Sequence, residues 1–197
     1  MSESDNILKN KAAGQNLKPV SENLQKLIRL CIANNRTAQK ELYHQYAPFL
    51  YGVIKRYTYH KVEADEILND SFYKIFTSLR SFSFKGSFEG WMRRITLNCI
   101  TDNFRKYIKK EPSHKIDMEQ VQDVYINEEV ISDMGYKALL KMIYELPETQ
   151  RTVFNLFVFD QYSHKEIGIQ LNITENNSRW HLNDARKRLK EKINEMT

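Results

Sequence analysis

The run from Tyr162 to Ile193 leaves the chain little conformational choice. Ser163-His164-Lys165-Glu166 is a capping-box pattern, in which the Ser hydroxyl and the Glu carboxylate reciprocally satisfy backbone groups that the first turn of a helix leaves without partners. Ile167 and Leu171 then fall on one apolar stripe. Gly168 between them gives up about 1 kcal/mol of helix propensity against Ala, which is expected where another backbone packs close. Asn172-Ile173-Thr174 makes a turn, after which Thr174 is placed as N-cap of a second helix with Glu175 at the positive end of its dipole. Leu182, Ala185, Leu189 and Ile193 form that helix's apolar stripe. The opposite face carries Asn176, Asn177, Trp180, Asn183, Asp184 and Lys187, flanked by Arg179, His181, Arg186 and Arg188. Two short helices, a tight turn and an outward face of amides and cations predict a helix-turn-helix. Amides can read adenine edges, and Arg can read guanine or grip phosphate, so the pattern points to DNA.

Upstream, the same 3.6-residue period recurs. Leu24, Leu27, Ile28 and Cys31 make one stripe, and Ala38, Leu42, Tyr46, Leu50 and Ile54 a second, interrupted by Pro48, where a kink is expected. A third helix is predicted from Glu63 to Leu79, burying Ala64, Leu68, Phe72, Ile75 and Leu79 and leaving Asp65, Glu66, Asn69, Asp70 and Lys74 exposed. Ser81 to Ser87 reads as a loop, and Ser87 as the N-cap of a long helix running to about Lys110. A smaller helical unit begins near Tyr136; Pro147 ends its first helix, and Val153, Phe154, Phe157 and Val158 supply the next stripe. No period-two run and no internal repeat interrupts this, so the fold class is all-α. Two small helical domains are expected over 21–110 and 136–197, with a disordered N-terminal extension over 1–20 and an acidic linker over 111–135.

Charge is segregated along the chain. Residues 80–110 hold eight Lys/Arg against two Asp/Glu, whereas 111–133 hold one Lys against seven acids. Net charge over all 197 residues is +5, which suits a polyanionic partner. Cations Lys85, Arg93, Arg94, Arg105, Lys106, Lys109 and Lys110 interleave with Phe82, Phe84, Phe88 and Trp91, a mixture that suits single-stranded DNA, although helical spacing also makes several of those rings core. Cys31 and Cys99 lack CxxC spacing and the five His lack ligand spacing, so neither disulfide, metal site nor cofactor is expected. No apolar run is long enough to span a membrane and the first residues lack the apolar centre of a signal peptide, which places the chain in the cytoplasm. No phosphate loop, nucleophile elbow or HExxH is present, and enzymatic activity is not expected.

Taken in order, these segments resemble a bacterial RNA polymerase sigma factor of the extracytoplasmic-function type. Residues 63–72, from Glu63-Ala64-Asp65-Glu66 to Ser71-Phe72, are similar to that family's acidic polymerase-docking helix. Ser87-Phe88-Glu89-Gly90-Trp91-Met92-Arg93-Arg94-Ile95, with Asn98, Asp102 and Arg105, resembles its promoter-melting helix. Leu146-Pro147-Glu148, Tyr162 to Ile167 and Ala185 to Leu189 resemble its upstream-element reader. Two positions depart from the family's usual pattern: a small residue often stands where Trp180 does, and a basic one where Asp184 does.

The resemblance implies core RNA polymerase and promoter DNA as partners, an anti-sigma factor as regulator, and no chemistry of the chain's own. Asp65, Glu66, Asn69 and Asp70 would bind core polymerase. Phe84, Lys85, Ser87, Trp91, Arg94, Asn98 and Arg105 would engage the minus-ten element. Asn176, Asn177, Arg179, Trp180, His181, Asn183 and Arg186 would engage the minus-thirty-five element, and Asp184 either accepts from a cytosine amino group or pairs with Arg188. A conventional helix-turn-helix regulator with a helical sensor domain is the competing reading; it would bind duplex DNA alone, as a dimer on paired half-sites. In the sigma reading the acidic linker mimics a polyanion in the polymerase's RNA channel. Neutralising its acids is then expected to lower initiation in a reconstituted transcription assay while promoter binding by the isolated domains is unchanged.

Overall fold

The computed structural model describes residues 20–108 and 134–195; the expected N-terminal extension, apart from Val20, and the linker through residue 133 lie outside them. Every regular element among the described residues is helical. In chain order these are α1 (Glu22–Ile32), α2 (Arg36–Lys55), α3 (Lys61–Ser78), a 3-10 turn (Leu79–Ser81), α4 (Phe88–Ile108), α5 (Met134–Tyr144), α6 (Glu148–Val158), α7 (His164–Leu171) and α8 (Glu175–Glu195). No helix among the described residues is long and apolar enough to cross a membrane.

Local chemistry sets most of the boundaries. Ser21 and Asn35 cap α1 and α2 by accepting from Leu24 N and Ala38 N. Ser87 Oγ accepts from Gly90 N at 3.1 Å, starting α4 where the sequence placed its cap. Pro48 lies inside α2, exposed on its outer side, and the helix continues through it as one element. The third helix starts two residues earlier than predicted, at Lys61, because Thr58 donates to the Glu63 carboxylate and closes the preceding turn.

In the first unit α1, α2, α3 and α4 pack around Ile28, Leu42, Leu50, Ile54, Ile75, Leu79 and Met92, all fully buried. Cys31 and Cys99 belong to this core as free thiols. Burial, then Glu41, pushes the Cys31 thiol up to about 11, and burial raises Cys99 as well. In the second unit α6 and α7 pack on α8, with Leu156, Ile167 and Leu182 inside, while Ile143, Leu146, Ala185 and Leu189 join α5 to α8.

The expectation of two units joined by a linker says nothing of contact between them, and here they share one core. Val153, Leu156, Tyr162, Ile167, Leu171 and Leu182 belong to the same buried cluster as the first unit's residues. The seam has a physical origin at the end of α2. A helix leaves its last carbonyls without intrahelical donors, and buried carbonyls must find others. Tyr144 Oη donates to Lys55 O, Asn155 Nδ2 to Arg56 O at 2.6 Å, and Arg151 Nε to Tyr57 O at 3.1 Å. All three donors come from the second unit. Arg151 also donates to Tyr144 O at 2.9 Å, and its burial lowers its pKa.

The helix-turn-helix geometry explains Gly168. A Cβ there would lie 2.8 Å from Ile173 O, in the turn that leads to α8. Asn172, in the left-handed region at φ 56°, ends α7 and reverses the chain. Gly168→Ala is therefore expected to lower stability in urea denaturation by about 1–3 kcal/mol, the overpacking cost outweighing the helix propensity gained.

Candidate nucleic-acid and polymerase interfaces

On α3 the buried positions Ala64, Ile67, Leu68, Ser71, Phe72 and Ile75 fix the opposite face outward, and Asp65, Glu66, Asn69 and Asp70 are all exposed there together. Burial, then Asp65, raises the nearby Tyr51 phenol, which hydrogen-bonds to the Asp65 carboxylate. Two residues passed over in the sequence extend this face: Val62 and Tyr73 are 72% and 71% exposed. Their spacing with Glu66 and Asn69 is the only sequence signal for them, since a large apolar residue outside an apolar stripe draws attention only once the stripe is fixed.

The residues assigned to the minus-ten element divide into two groups. Phe84, Lys85, Ser87 and Trp91 surround the loop before α4. Phe82 and Phe88 are core, while Phe84 and Trp91 are half-buried at the edge. The Phe82 ring lies 5.4 Å from both Phe84 and Trp91, Phe88 stacks on Trp91 at 5.6 Å, and the Arg29 guanidinium of α1 sits 5.8 Å over Phe84. Phe84 has φ 58° and Gly86 φ 95°, so the loop holds a bulky residue in the left-handed region, a strain of about 1 kcal/mol or more that packing must sustain. Lys85 and Ser87 are exposed beside it. This arrangement offers ring edges, cations and a hydroxyl to an unstacked base.

Arg94, Asn98 and Arg105 form the second group and run down α4 toward the second unit. All three are half-buried. Gln170 Nε2 of α7 lies 3.4 Å from Asn98 Oδ1, and Thr101 Oγ1 lies 3.2 Å from Gln170 Oε1. Arg94 lies close enough to Tyr162 to offset, in part, the burial that pushes that phenol up to about 12. Arg105 pairs with Asp102, which also accepts from Lys74 at 2.9 Å. Burial alone would raise the Asp102 carboxyl; hydrogen bonds from Lys74 and Arg105 prevail and hold it below its ordinary value.

In the second unit both predicted caps are present. Ser163 and Glu166 form the full capping box, and Thr174 Oγ1 accepts from Asn177 N at 3.1 Å. Ser178, Leu182, Ala185 and Leu189 bury the inner stripe of α8, whereas Ile193, expected at its end, is 49% exposed. Asn176, Asn177, Arg179, Trp180, Asn183 and Arg186 consequently share exposure on its outer side, Trp180 at 60%. Arg179 pairs with Glu175 at 2.6 Å, and the Arg186 guanidinium lies 5.7 Å over the Phe157 ring. Asp184 accepts from Arg188 Nε at 2.8 Å and Gln150 Nε2 at 3.1 Å, so of its two sequence-level roles the helical pair is the one formed. Arg188 holds the Asp184 carboxyl below the usual range.

His181 differs from its flank assignment. It is half-buried and turned into a groove of about 1020 Å³ between α3, α4 and the α7–α8 turn, lined also by Asp70, Lys74, Arg105 and Ile169. No cluster of three potential metal ligands occurs among the described residues.

Two family profiles match the chain: "Sigma-70 region 2" over residues 42–109 and "Sigma-70, region 4" over residues 136–189. The chain belongs to the extracytoplasmic-function sigma factors of RNA polymerase. It is 24% identical over 186 residues to the ECF sigma factor SigW of Bacillus subtilis strain 168, covering 88% of this chain and 98% of that one. It is 26% identical over 160 residues to the ECF sigma factor SigE of Mycolicibacterium smegmatis, covering 77% and 60%. A solved structure of RpoE in complex with the anti-sigma factor NepR from Bartonella quintana aligns at a TM-score of 0.46 and 15% identity, over 77% of this chain and 94% of that one. As a sigma factor the chain binds RNA polymerase and recognises promoters; it is an initiation factor and not an enzyme.

The two half-buried imidazoles beside α8 give the sigma factor a pH signature. Burial lowers His181 against a smaller opposing effect of Asp184, and burial, then Arg179, lowers His164, whose ring stacks on Phe157. Depressed folded-state values mean that the unfolded chain binds protons first. Stability is retained above about pH 6.5, the ordinary imidazole value, and falls as pH drops below it. The double variant His164→Gln/His181→Gln is expected to show a flatter dependence than wild type in denaturant titrations across that interval.

Proposed function

We propose that residues 21–110 act as the polymerase-binding and minus-ten unit, that 136–197 act as the minus-thirty-five unit, and that the sites are the residues placed above. Core polymerase docks on the exposed α3 face through Asp65, Glu66, Asn69 and Asp70. The loop at Phe84, Lys85, Ser87 and Trp91 takes unpaired non-template bases of the minus-ten element, with Arg94, Asn98 and Arg105 holding the adjoining strand. Captured bases no longer return to the duplex, which shifts the promoter toward the melted state. The outer face of α8 enters the major groove of the minus-thirty-five element, where Asn176, Asn177 and Asn183 read base edges and Arg179 and Arg186 reach bases or phosphates. The protein works in the cytoplasm, where the chromosome and polymerase are, and an anti-sigma factor holds it in reserve; residues 111–135 tether the two units.

The observation that carries this reading is the division of α8: a buried inner stripe and, outside it, amides, arginines and a Trp whose exposure no packing role explains. Trp180→Ala in run-off transcription with core polymerase is expected to weaken initiation on a subset of upstream sequences, whereas an equal loss on all promoters means that Trp180 supports packing. Charge reversal at Asp65, Glu66 and Asp70 is expected to lower core association roughly tenfold or more, as for clustered interface charges, with binding to minus-thirty-five duplex unchanged. A conventional regulator would instead bind duplex tightly and sequence-specifically without polymerase.

A further inference from the structure

α8 begins at Glu175, so Trp180 stands in its second turn, within the N-terminal part of a recognition helix that reaches base edges. Asn176 and Asn177 lie one turn before it and Asn183 and Asp184 one turn after, which puts the indole at the middle of a polar frame. The indole is 60% exposed yet not loose. The neighbouring His181 ring, itself half-buried, meets it edge to face at 4.9 Å and 74°. That contact lies within α8 alone. A Trp held in this way brings a large, rigid contact surface at little cost in conformational entropy.

The groups around the indole are poorly suited to G·C pairs. Arg179 is paired with Glu175, Arg186 lies over the Phe157 ring, and Lys187, two turns on from the indole, faces Glu191 at 4.0 Å. The Asp184 carboxylate, which could accept from a cytosine amino group, instead accepts from Arg188 at 2.8 Å and Gln150 at 3.1 Å. The exposed side chains one turn away from the indole are therefore the three asparagines, whose paired donor and acceptor suit adenine.

We propose that Trp180 selects a thymine in the minus-thirty-five element through the base's C5 methyl group, with adenines of adjoining pairs set against the asparagines around it. The inference rests on the function proposed above and supplies the base that this helix prefers. In a duplex the bases are stacked, so a side chain in the major groove meets only their edges, and the one apolar group on those edges is the thymine methyl. An indole has a single N–H donor and no acceptor. Laid against adenine or cytosine, it would strip water from an amino group and offer nothing in return, which is costly. Against guanine it could serve only one of two acceptors. Thymine matches it on both counts, with a methyl for the ring and one acceptor, O4, for the N–H.

The test uses the full chain with core polymerase. Promoters randomised over the upstream element are selected by run-off transcription at limiting sigma factor, for wild type, Trp180→Ala and Trp180→Phe. Thymines of the element selected by wild type are then replaced one at a time by deoxyuridine, which removes the methyl and keeps every hydrogen-bonding group. Wild type is expected to select thymine at a position flanked by A·T pairs, and deoxyuridine there to lower initiation about fourfold, the worth of one buried apolar carbon. Trp180→Ala is expected to lose the preference and to initiate equally from thymine and deoxyuridine templates, whereas Trp180→Phe, which keeps an apolar ring, retains part of the difference. The deoxyuridine comparison on wild type needs no variant and stands even if a variant fails to fold. A selected element without thymine, equal initiation from thymine and deoxyuridine at every position, a deoxyuridine effect that survives in Trp180→Ala, or a Trp180→Ala loss equal on all upstream sequences overturns the proposal. No initiation by wild type, or initiation with no upstream preference, overturns the functional reading instead.

Discussion

The end of α2 is where this structure is decided. A helix that stops inside a protein must hand its last carbonyls to donors from elsewhere, or lose the free energy of buried, unpaired acceptors. Here the donors to the carbonyls at and just past the helix end are Tyr144, Asn155 and Arg151, 89, 99 and 94 residues along the chain. Arg151 in turn is tolerated in a buried position because it bonds Tyr57 O and Tyr144 O at once. The second unit's docking, the burial of Tyr57 and Tyr162 and the seating of Asp160 all follow from that arrangement, and so does the position of α7 relative to α4.

Periodicity and capping made the helices and the helix-turn-helix legible from residues alone. Ser163 with Glu166, Thr174, Ser87 and Gly168 act within a few residues of themselves, so their signals survive in sequence and recur in the structure. The exposed acids of α3 and the outer face of α8 were equally readable, because fixing the buried stripe fixes its opposite. What could not be read lies across the seam. The Arg93–Asp160 pair spans 67 residues and the Arg151–Tyr57 bond 94, and nothing in a local pattern distinguishes those arginines from solvated ones. His181 illustrates the same limit: a flank position on α8 becomes a groove position only because α3 and α4 stand opposite.

Phe84 shows a different kind of gap. Its aromatic neighbours are predictable from helical spacing, but its left-handed backbone is not, since nothing in the residue favours φ 58°. The geometry is imposed from both sides, by Phe82 within the loop and by Arg29 reaching over from α1. A bulky ring held against its own backbone preference, next to exposed Lys85 and Ser87, is the sort of pre-organised element that a base-capturing loop requires.

The placement of the two thiols bears on their reactivity toward oxidants. Cys31 and Cys99 are enclosed and burial raises both thiols above the ordinary cysteine value, so the thiolate that peroxide or electrophiles attack is scarce at neutral pH. Direct chemical modification of these described cysteines is thus a poor channel for oxidative information.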